Sequence, residues 1–440
     1  MLQRWLLAAI ALLPLCVGAV DLKQALERAR LADPGFQAAK QELIGLMEVV
    51  PQAQAALLPN ASLSAGRNRV WLDREDGGVS STADYFSQNS TLSLRQPILR
   101  LPQWVQLKQA KTQEATREPA RRRAEADLLL RVASAYFDLL YAGQSLDYIE
   151  AVATASLEQL RAARRGFELG QGTRTDIDDA QARYDLAMAQ GVQARQNRVL
   201  AERQLALQLG LGQGEPINLA ILPLQVTQAP AAGGSLDHWL SLAQLHNPEL
   251  QLARAKLALA QLEVERAQAG HYPTVDAIGQ RSLSKSENTQ FPRSSYFSTQ
   301  IGVQINIPLY AGGATESAIR QALANRERER FAVEQVSNDL AIKVQREHNT
   351  LTEGEKRLQA ARQSLLSAEQ LVISTGRGMM AGTRTIVDRL NAVQRRAEAR
   401  RELALVLYQL HLARLKLSAL ASPDGQEAVE EVNRLLVAAP

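Results

Sequence analysis

The chain has 440 residues, of which 46% are hydrophobic and 22% are charged. Its 50 basic and 46 acidic residues leave a net charge of +4, and this near-balance argues against a nucleic-acid-binding protein, in which basic charge is concentrated. The mean hydropathy of −0.20 excludes a polytopic helical membrane protein. Long tracts dominated by Ala, Leu, Gln, Arg and Glu have the composition of long helices.

The N-terminus has the pattern of a secretory signal peptide. An apolar run from Trp5 to Val17 follows a basic residue, and Val17-Gly18-Ala19 fits a cleavage site. The run is too short to span a bilayer comfortably, and we expect no transmembrane helix later in the chain. We predict that residues 1–19 are a signal peptide. Cys16, the only cysteine, would be removed with it. A lipoprotein is the less favoured alternative, because Leu15 before that cysteine is not small.

The chain repeats itself with a period near 210 residues. Four landmarks recur in the same order: Asp33-Pro34 and Asn247-Pro248, Leu58-Pro59 and Tyr272-Pro273, Gln96-Pro97-Ile98-Leu99 and Ile307-Pro308-Leu309-Tyr310, and Gly172-Thr173-Arg174-Thr175 and Gly382-Thr383-Arg384-Thr385. A stretch rich in Pro, Gly and Ala joins the halves. We therefore predict a first structural repeat over residues 20–232, a second over 233–423 and a C-terminal tail over 424–440.

Each repeat is predicted to contain a helix, two strands, a very long helix, a tight turn and a return helix. Asp33 and Asn247 are good N-caps, each followed by proline at the first helical position. Alternating polar and apolar residues then predict two strands, and the strand pairs end at Pro97 and Pro308. In the fourth strand the apolar positions are Phe297, Ile301, Val303 and Ile305, with Ile307 following.

The long helices are predicted over about residues 103–168 and 315–376, which is about 100 Å each at 1.5 Å per residue. Their apolar residues recur every seven positions, which predicts left-handed coiled-coil packing with close approach at alanines. In the second repeat these residues are Val344, Leu351, Leu358, Leu365 and Val372. Pro51 and Pro119 should each kink or break a helical tract. The return helices, about 35 residues each, stack with the shorter helices to form a second rod.

The number of strands in one chain predicts that the protein is an oligomer. Four strands cannot close a barrel, for which about eight is the practical minimum, and open edges cannot lie in lipid. Three chains that share one barrel would supply twelve strands. The residues therefore predict a mostly helical, internally duplicated chain whose four strands need partner chains to complete a barrel.

Two features mark the strand ends. Asp76-Gly77-Gly78 predicts an extracellular hairpin turn rather than a calcium loop. Aromatic residues near the strand ends are typical either of an interfacial girdle or of ordinary strand packing; they are Trp71, Tyr85, Phe86, Phe291, Tyr296 and Phe297.

The start of each return helix is predicted to carry a capping box. Thr175 and Asp178 have the spacing Thr-x-x-Asp in the first repeat, and Thr385 and Asp388 have it in the second. One interpretation is that these groups only cap their helices and neutralise the helix dipole.

The landmarks of the second repeat together resemble the TolC-like outer-membrane efflux and secretion channels of Gram-negative bacteria. They are Asn247-Pro248, Tyr272-Pro273, residues 307–313 and residues 382–388. The resemblance covers about residues 21–420. It implies a fold that is mostly helical with β-strands: a homotrimer in the outer membrane, in which a trimeric coiled-coil barrel, the twelve-helix periplasmic tunnel, is continuous with a twelve-stranded transmembrane β-barrel. A mixed α/β belt formed by residues 211–236 and the tail would surround the tunnel. It also implies a periplasmic adaptor, an inner-membrane ABC exporter or proton-driven pump as partners, contact with outer-membrane lipid, and export of proteins, drugs or other small molecules.

The resemblance further implies a gate at the periplasmic tip. Asp388 matches the outer aspartate of the entrance constriction, and Asn391 stands where the family has the inner one. Arg384 matches the arginine that ties neighbouring coils closed, while Met379 replaces the tyrosine that assists it. Asp176 matches an acidic partner in the first repeat.

The sequence does not indicate an enzyme. The five histidines are scattered without metal-ligand spacing, no Gly-rich phosphate loop follows a strand, and we expect no cofactor. The leading hypothesis is a passive exit duct whose energy source lies in a partner. The alternative is a soluble periplasmic coiled-coil adaptor or scaffold, which explains the heptads but not the strands. A third hypothesis, an exported enzyme, would need a set of polar catalytic residues that the sequence does not display.

Overall fold

The computed structural model describes residues 19–212, 214–215, 217–225, 230, 233–286, 294–422 and 425–437. The predicted signal peptide, apart from Ala19, and Phe291 lie outside the described residues. The chain forms two compact units. The first comprises Met1–Ala39, Arg122–Asn247 and Asp339–Pro440, and the second comprises Lys40–Arg121 and Pro248–Asn338. Each unit therefore combines segments from both halves of the sequence.

The described residues are mostly helical. The helices in chain order are α1 (Leu22–Ala32), α2 (Pro34–Gly45), α3 (Val49–Ala55), α4 (Leu101–Ala115), α5 (Arg117–Glu168), α6 (Arg174–Gln208), α7 (Leu236–His246), α8 (Pro248–Gln268), α9 (Ala314–Met380), α10 (Ile386–Ala421) and α11 (Gln426–Leu435). The predicted return helices are confirmed as α6 and α10. Helices α1, α7 and α11 were not predicted, because each is only 10 or 11 residues long.

The second unit contains one antiparallel sheet with the strand order β1-β2-β3-β4. The strands are β1 (Asn60–Asp76), β2 (Val79–Leu99), β3 (Thr274–Ser286) and β4 (Ser294–Asn306). The prediction of four strands is confirmed. The register puts Leu63 opposite Leu92 and Ala277 opposite Val303, so apolar side chains of neighbouring strands share one face. Strands β1 and β4 form the two edges of the sheet.

The hairpin between β1 and β2 turns at two glycines, as predicted. Gly77 and Gly78 have φ angles of 59° and 85°. A two-residue hairpin with positive φ at both central positions matches the right-handed twist of its strands, and glycine adopts such angles without steric strain.

The end of β2 differs from the prediction. The strand continues past Pro97 to Leu99, so the prediction that the first strand pair ends at this proline is wrong. The pairing of β2 with β3 shifts in register between Pro97 and Leu99. Proline has no N–H for the ladder, and an irregularity of this kind accommodates it without ending the sheet. Strand β4 ends two residues before Pro308.

A buried carboxylate anchors the end of the sheet from which the helices extend. Asp276 is only 3% exposed, and its two oxygens accept hydrogen bonds from Nε and a terminal nitrogen of Arg100 at 2.7 and 2.6 Å. Arg95 also donates to the same carboxylate. This cluster joins β3 to both sides of the β2 irregularity, and its paired charges offset the cost of burying the carboxylate.

Both predicted helix interruptions are confirmed. A 3₁₀ turn at Leu46–Glu48 separates α2 from α3, and one residue, Thr116, separates the end of α4 from the start of α5 at Arg117. Pro51 and Pro119 lie at the third position of α3 and α5. In the first turn of a helix the missing N–H of proline leaves no intrahelical bond unmade. The expected single helix over 103–168 is therefore two helices, whereas α9 is unbroken over 67 residues.

The predicted N-cap at Asp33 is also confirmed. Its carboxylate accepts the backbone N–H of Phe36 at 2.7 Å and pairs with Arg131 of α5 at 2.9 Å.

The coiled-coil spacing of α9 is confirmed where it packs against α10 in the first unit. Val344, Leu351 and Leu358 are all 3% exposed or less. Gly354, between two of them, approaches α10 so closely that a Cβ atom would lie 1.9 Å from Cδ2 of Leu410. Any side chain at position 354 would therefore force Leu410 to move.

Helix α10 is the core helix of the first unit. Among the described residues it alone is long and apolar enough to cross a membrane by length and composition. However, 61% of that apolar window is buried inside the structure, which is typical of a core helix. Burial, rather than lipid, accounts for its hydrophobicity.

The two predicted belt segments meet in the first unit, where Ile221 forms an antiparallel bridge with Val437 of the tail. Val20, which was not predicted to belong to the belt, forms a parallel bridge with Leu219. The hydroxyl of Tyr136, on α5, donates to the carbonyl oxygen of Ala220 at 2.6 Å. Burial raises the pKa of this tyrosine. The hydrogen bond fixes this bridged segment to a long helix.

Candidate functional site

The turn between α9 and α10 contains most of the predicted site residues. Gly382 has a φ of 73°, the left-handed conformation that commonly ends helices. The carbonyl oxygen of Gly378 accepts the backbone N–H groups of Thr383 and Arg384 at 2.8 and 3.2 Å. These bonds satisfy the end of α9 and hold the loop in one conformation.

The capping box at the start of α10 is confirmed. Asp388 N–H donates to the hydroxyl oxygen of Thr385 at 3.1 Å, and Thr385 N–H donates to the Asp388 carboxylate at 2.9 Å. The threonine hydroxyl also donates to this carboxylate at 3.0 Å. These hydrogen bonds, with a smaller contribution from the charge of Arg384, lower the pKa of Asp388. Asp388 is therefore an anion fixed in position at neutral pH.

The capping box of the first repeat is not where the sequence predicted it. Thr173, not Thr175, is the N-cap of α6, and Asp176, not Asp178, completes the box. Asp176 N–H donates to the hydroxyl of Thr173 at 3.2 Å, and Thr173 N–H donates to Asp176 at 2.8 Å. The backbone and hydroxyl of Thr173 lower the pKa of Asp176. Asp178 instead lies 3.5 Å from Arg174, and both side chains are exposed.

The landmarks of the two turns correspond with an offset of 212 residues. Gly170 has a φ of 68°, like Gly382, and the N-cap threonines and boxed aspartates differ by the same offset. The Gly-Thr-Arg-Thr sequences at 172–175 and 382–385 are 210 residues apart. Aligning these sequences therefore pairs residues that are two positions away from their structural counterparts. The structural equivalence makes Asp176 the counterpart of Asp388.

This offset also assigns counterparts that the sequence comparison missed. Asp179 corresponds to Asn391, so the first repeat carries a carboxylate where the second carries an amide. Asp179 is exposed and pairs with Arg183 at 3.1 Å. Gly172 corresponds to Arg384, so only the second turn carries the arginine.

The remaining predicted residues flank these turns. Arg384 and Asn391 are exposed, and Met379 is half-buried. Arg384, Met379, Asp388 and Asn391 belong to one turn and its two helix ends, whereas Asp176 and Asp178 belong to the other turn. Within the residues that the structure describes, no group of three or more His, Cys, Asp or Glu side chains is arranged to hold a metal ion.

Comparison with known proteins places the chain in a family. Residues 25–211 and 239–422 each match the family described as outer membrane efflux protein. The family's domain is therefore present twice, as the duplicated architecture predicts.

Three relatives match nearly the whole chain. The proteases secretion protein PrtF of Dickeya chrysanthemi is 29% identical over 430 residues, which are 96% of this chain and 92% of that protein. The alkaline protease secretion protein AprF of Pseudomonas aeruginosa is 32% identical over 416 residues, which are 92% and 85%. The outer membrane protein TolC of Vibrio cholerae is 30% identical over 441 residues, which are 97% and 96%.

Solved structures share the fold. The outer membrane channel CmeC of Campylobacter jejuni has a TM-score of 0.74 at 14% identity, over 94% of this chain and 89% of that chain. The outer membrane protein VceC of Vibrio cholerae has a TM-score of 0.70 at 18% identity, over 92% and 96%. The predicted fold class is confirmed, and the alternative of a soluble adaptor or scaffold is not supported. The protein is a trimeric, non-enzymatic outer-membrane efflux and secretion channel with a long periplasmic helical extension, and the chain belongs to the outer membrane efflux protein family.

Proposed function

We propose that the chain is the exit duct of a type I secretion system and that its cargo is protein. The observation that carries this proposal is the 29% and 32% identity to two relatives named for protease secretion, over 96% and 92% of the chain. An ABC exporter in the inner membrane would supply the energy, and a periplasmic adaptor would join it to the duct. The runner-up is drug or small-molecule efflux driven by a proton-driven pump.

A complementation experiment tests the cargo. The chain is expressed in a host that lacks its own outer-membrane channel but retains the ABC exporter and adaptor of a protease system. Protease activity should return to the medium. Restored antibiotic resistance without secreted protease would assign the duct to a proton-driven pump instead. A trimer that reaches the outer membrane and restores neither would contradict the proposed function.

The turns at the helix tips are proposed to form the entrance gate. Arg384 would link neighbouring coils, and Asp388 would place a carboxylate at the entrance. Two features support this role. Both residues lie in a turn whose backbone is held by several hydrogen bonds, and Arg384 is exposed and therefore available to a neighbouring coil. Met379 and Asn391 lack the phenol and the carboxylate of the family pattern, so the resting gate should be held less tightly.

The first-repeat turn is proposed to supply the acidic side of the gate. Asp176, Asp178 and Asp179 lie within four residues of one another, all exposed. An exposed ion pair contributes about 0.2–1 kcal/mol, so three symmetry-related links would hold the entrance with about 3 kcal/mol or less. A docking partner that binds the open state more tightly by that amount would open the gate.

Conductance in a planar bilayer tests whether Arg384 acts as a latch, that is, whether it links neighbouring coils and keeps the entrance closed. Arg384→Glu should raise conductance, because it breaks the link and adds like charge near the acidic turn. Arg389→Glu is the matched control: it lies five residues further along, is also exposed, and has no proposed gate role. Unchanged conductance for Arg384→Glu, or equal increases for both variants, would contradict a specific latch at Arg384.

A further inference from the structure

The sheet register defines one face that is apolar over most of its height. On this face alternate residues of the four strands lie side by side in rows that run across the sheet. The apolar members run from the row of Val275 and Ile305 to the row of Leu283 and Phe297; the others are Ala61, Leu63, Ala65, Leu92, Leu94, Ala277, Ile301 and Val303. The opposite face is rich in Ser, Asn and Gln. In an outer-membrane channel the apolar face is the one that contacts lipid.

The row immediately beyond the apolar rows, toward the Gly77-Gly78 turn, is basic. The register places Arg67 opposite Gln88, Gln88 opposite Lys285, and Lys285 opposite Ser295. All four side chains are exposed. We call Arg67, Gln88 and Lys285 the basic row. Because neighbouring strands are about 4.8 Å apart, the two cations flank the amide at a separation of about 10 Å.

The cations of the basic row are available for an external partner. Within the described part of the chain neither Arg67 nor Lys285 forms an ion pair. The guanidinium of Arg67 lies over the ring of Phe86, 4.5 Å from its centroid, which orients the group but leaves its N–H edge open. In contrast, Arg69 in the next row is already paired with Asp84 at 2.5 Å.

The depth of the basic row corresponds to the headgroups of the outer leaflet. The helices extend from the opposite end of the sheet and are periplasmic, so the hairpin end is the outer end. The nine residues from Val275 to Leu283 cover about 27 Å along a strand, which at a tilt of about 40° is about 20 Å of height, close to the apolar band of about 25 Å in such barrels. Arg281 lies on the same face two rows lower, and its long side chain can extend toward this level.

We propose that the basic row binds the phosphate group of a phosphorylated glycolipid in the outer leaflet of the outer membrane. The arginine fork matches two phosphate oxygens, the lysine supplies a mobile point charge, and the Gln88 amide supplies a neutral donor between them. A trimer would present three copies of the site around the barrel. This inference rests on the outer-membrane location and not on the proposed cargo.

The test is lipid binding by the purified trimer in detergent. The probes are a bisphosphorylated, acylated glucosamine disaccharide and the same lipid with its phosphates removed, with native mass spectrometry as the readout. The intact channel should prefer the phosphorylated lipid. The double variant R67Q/K285Q should lose most of that preference, since a cation near the headgroups is worth about fivefold in binding and two about 25-fold.

Two controls make the outcome decisive. The swapped variant R67K/K285R keeps both charges and should retain binding, and Arg74→Gln removes a cation from the opposite face of β1 and should have no effect. All variants must remain heat-modifiable trimers, which shows that folding is intact. Equal binding of both lipids by the intact channel, or an unchanged preference in R67Q/K285Q, would overturn the proposal. Full displacement of the lipid by millimolar inorganic phosphate would reassign the site to a free anion.

Discussion

The side chain of Arg384 lies directly against Gly378. A Cβ atom at Gly378 would lie 2.7 Å from Cγ and 3.3 Å from Cβ of Arg384, distances too short for ordinary contact. The absence of a side chain at Gly378 therefore provides the space in which the stem of Arg384 lies. The position of the proposed latch arginine is set by a residue six positions earlier in the chain.

Gly378→Ala should displace Arg384 without weakening the protein. Alanine inside a helix is about 0.5–1 kcal/mol more favourable than glycine, so the trimer should be at least as stable while its conductance rises toward that of Arg384→Glu. Gly376→Ala is the matched control, because nothing lies within 4 Å of a Cβ atom at that position. Thermal unfolding and single-channel conductance together check this. Equal conductance for both alanine variants would show that the space at Gly378 has no role in gating.

Asp388 should make the entrance selective for cations in a pH-dependent way. Its pKa is lowered by the hydrogen bonds from Thr385, so the carboxylate remains charged at neutral pH, and its charge is lost only as the pH falls through a folded-state value below the ordinary one. Reversal potentials and block by multivalent cations added on the periplasmic side measure this. Asp388→Asn should remove the block and leave the trimer intact. A block that persists in Asp388→Asn would exclude this carboxylate as its source.

The heptad register predicts opposite outcomes at two adjacent residues. Leu358 is 1% exposed, whereas Arg357 is exposed. Leu358→Asp buries an unpaired carboxylate between helices and should destabilise the fold by about 3–5 kcal/mol. Arg357→Asp should change stability by about 0.5 kcal/mol, as surface substitutions do. Denaturant unfolding of both variants is the measurement, and similar losses for both would contradict the register.

Two adjacent residues of β4, on opposite faces of the sheet, should also differ in their effect on membrane assembly. Val303 lies on the apolar face and Gln304 on the polar face, and both are exposed in the single chain. Val303→Arg places a cation against lipid, which costs about 2–4 kcal/mol near the bilayer midplane, so less trimer should reach the outer membrane. Gln304→Arg should assemble normally. Membrane fractionation with a heat-modifiability gel checks both, and normal assembly of Val303→Arg would contradict the assignment of the lipid-facing side.

His411 should limit stability in acid. It is fully buried in α10, and among the described residues neither ring nitrogen has a hydrogen-bond partner. Burial lowers the pKa of His411 to about 4. The unfolded chain therefore binds this proton first, and stability falls as the pH drops from about 6.5 toward 4.

Substitution of His411 isolates this effect. His411→Leu should flatten the dependence of stability on pH over that interval, as measured by denaturant unfolding at several pH values. His238→Gln is the control, since His238 is exposed. An unchanged pH dependence in His411→Leu would show that other groups determine acid unfolding.

The sequence alone determined the features that depend on local pattern. The seven-residue spacing predicted the buried positions of α9, the alternation in the fourth strand predicted its apolar face, and Asp76-Gly77-Gly78 predicted the hairpin turn. Thr385 and Asp388 were predicted correctly as a capping box because the motif, the turn glycine and the helix start all coincide within seven residues. These features follow from helix and strand periodicity and from backbone conformations that few residues adopt.

Only the tertiary structure decided where the first turn and the strand pairing fall, and which distant residues come into close contact. Matching the sequences of the two repeats placed the first capping box at Thr175. The end of α5 instead sets the N-cap two residues earlier, at Thr173. Pro97 suggested the end of a strand, yet pairing with β3 and the ion pairs of Asp276 carry β2 past it. The space at Gly354 and the bridge between Val20 and Leu219 join residues far apart in the chain. Such contacts depend on which partner lies opposite, and a residue's own neighbours in sequence do not specify that partner.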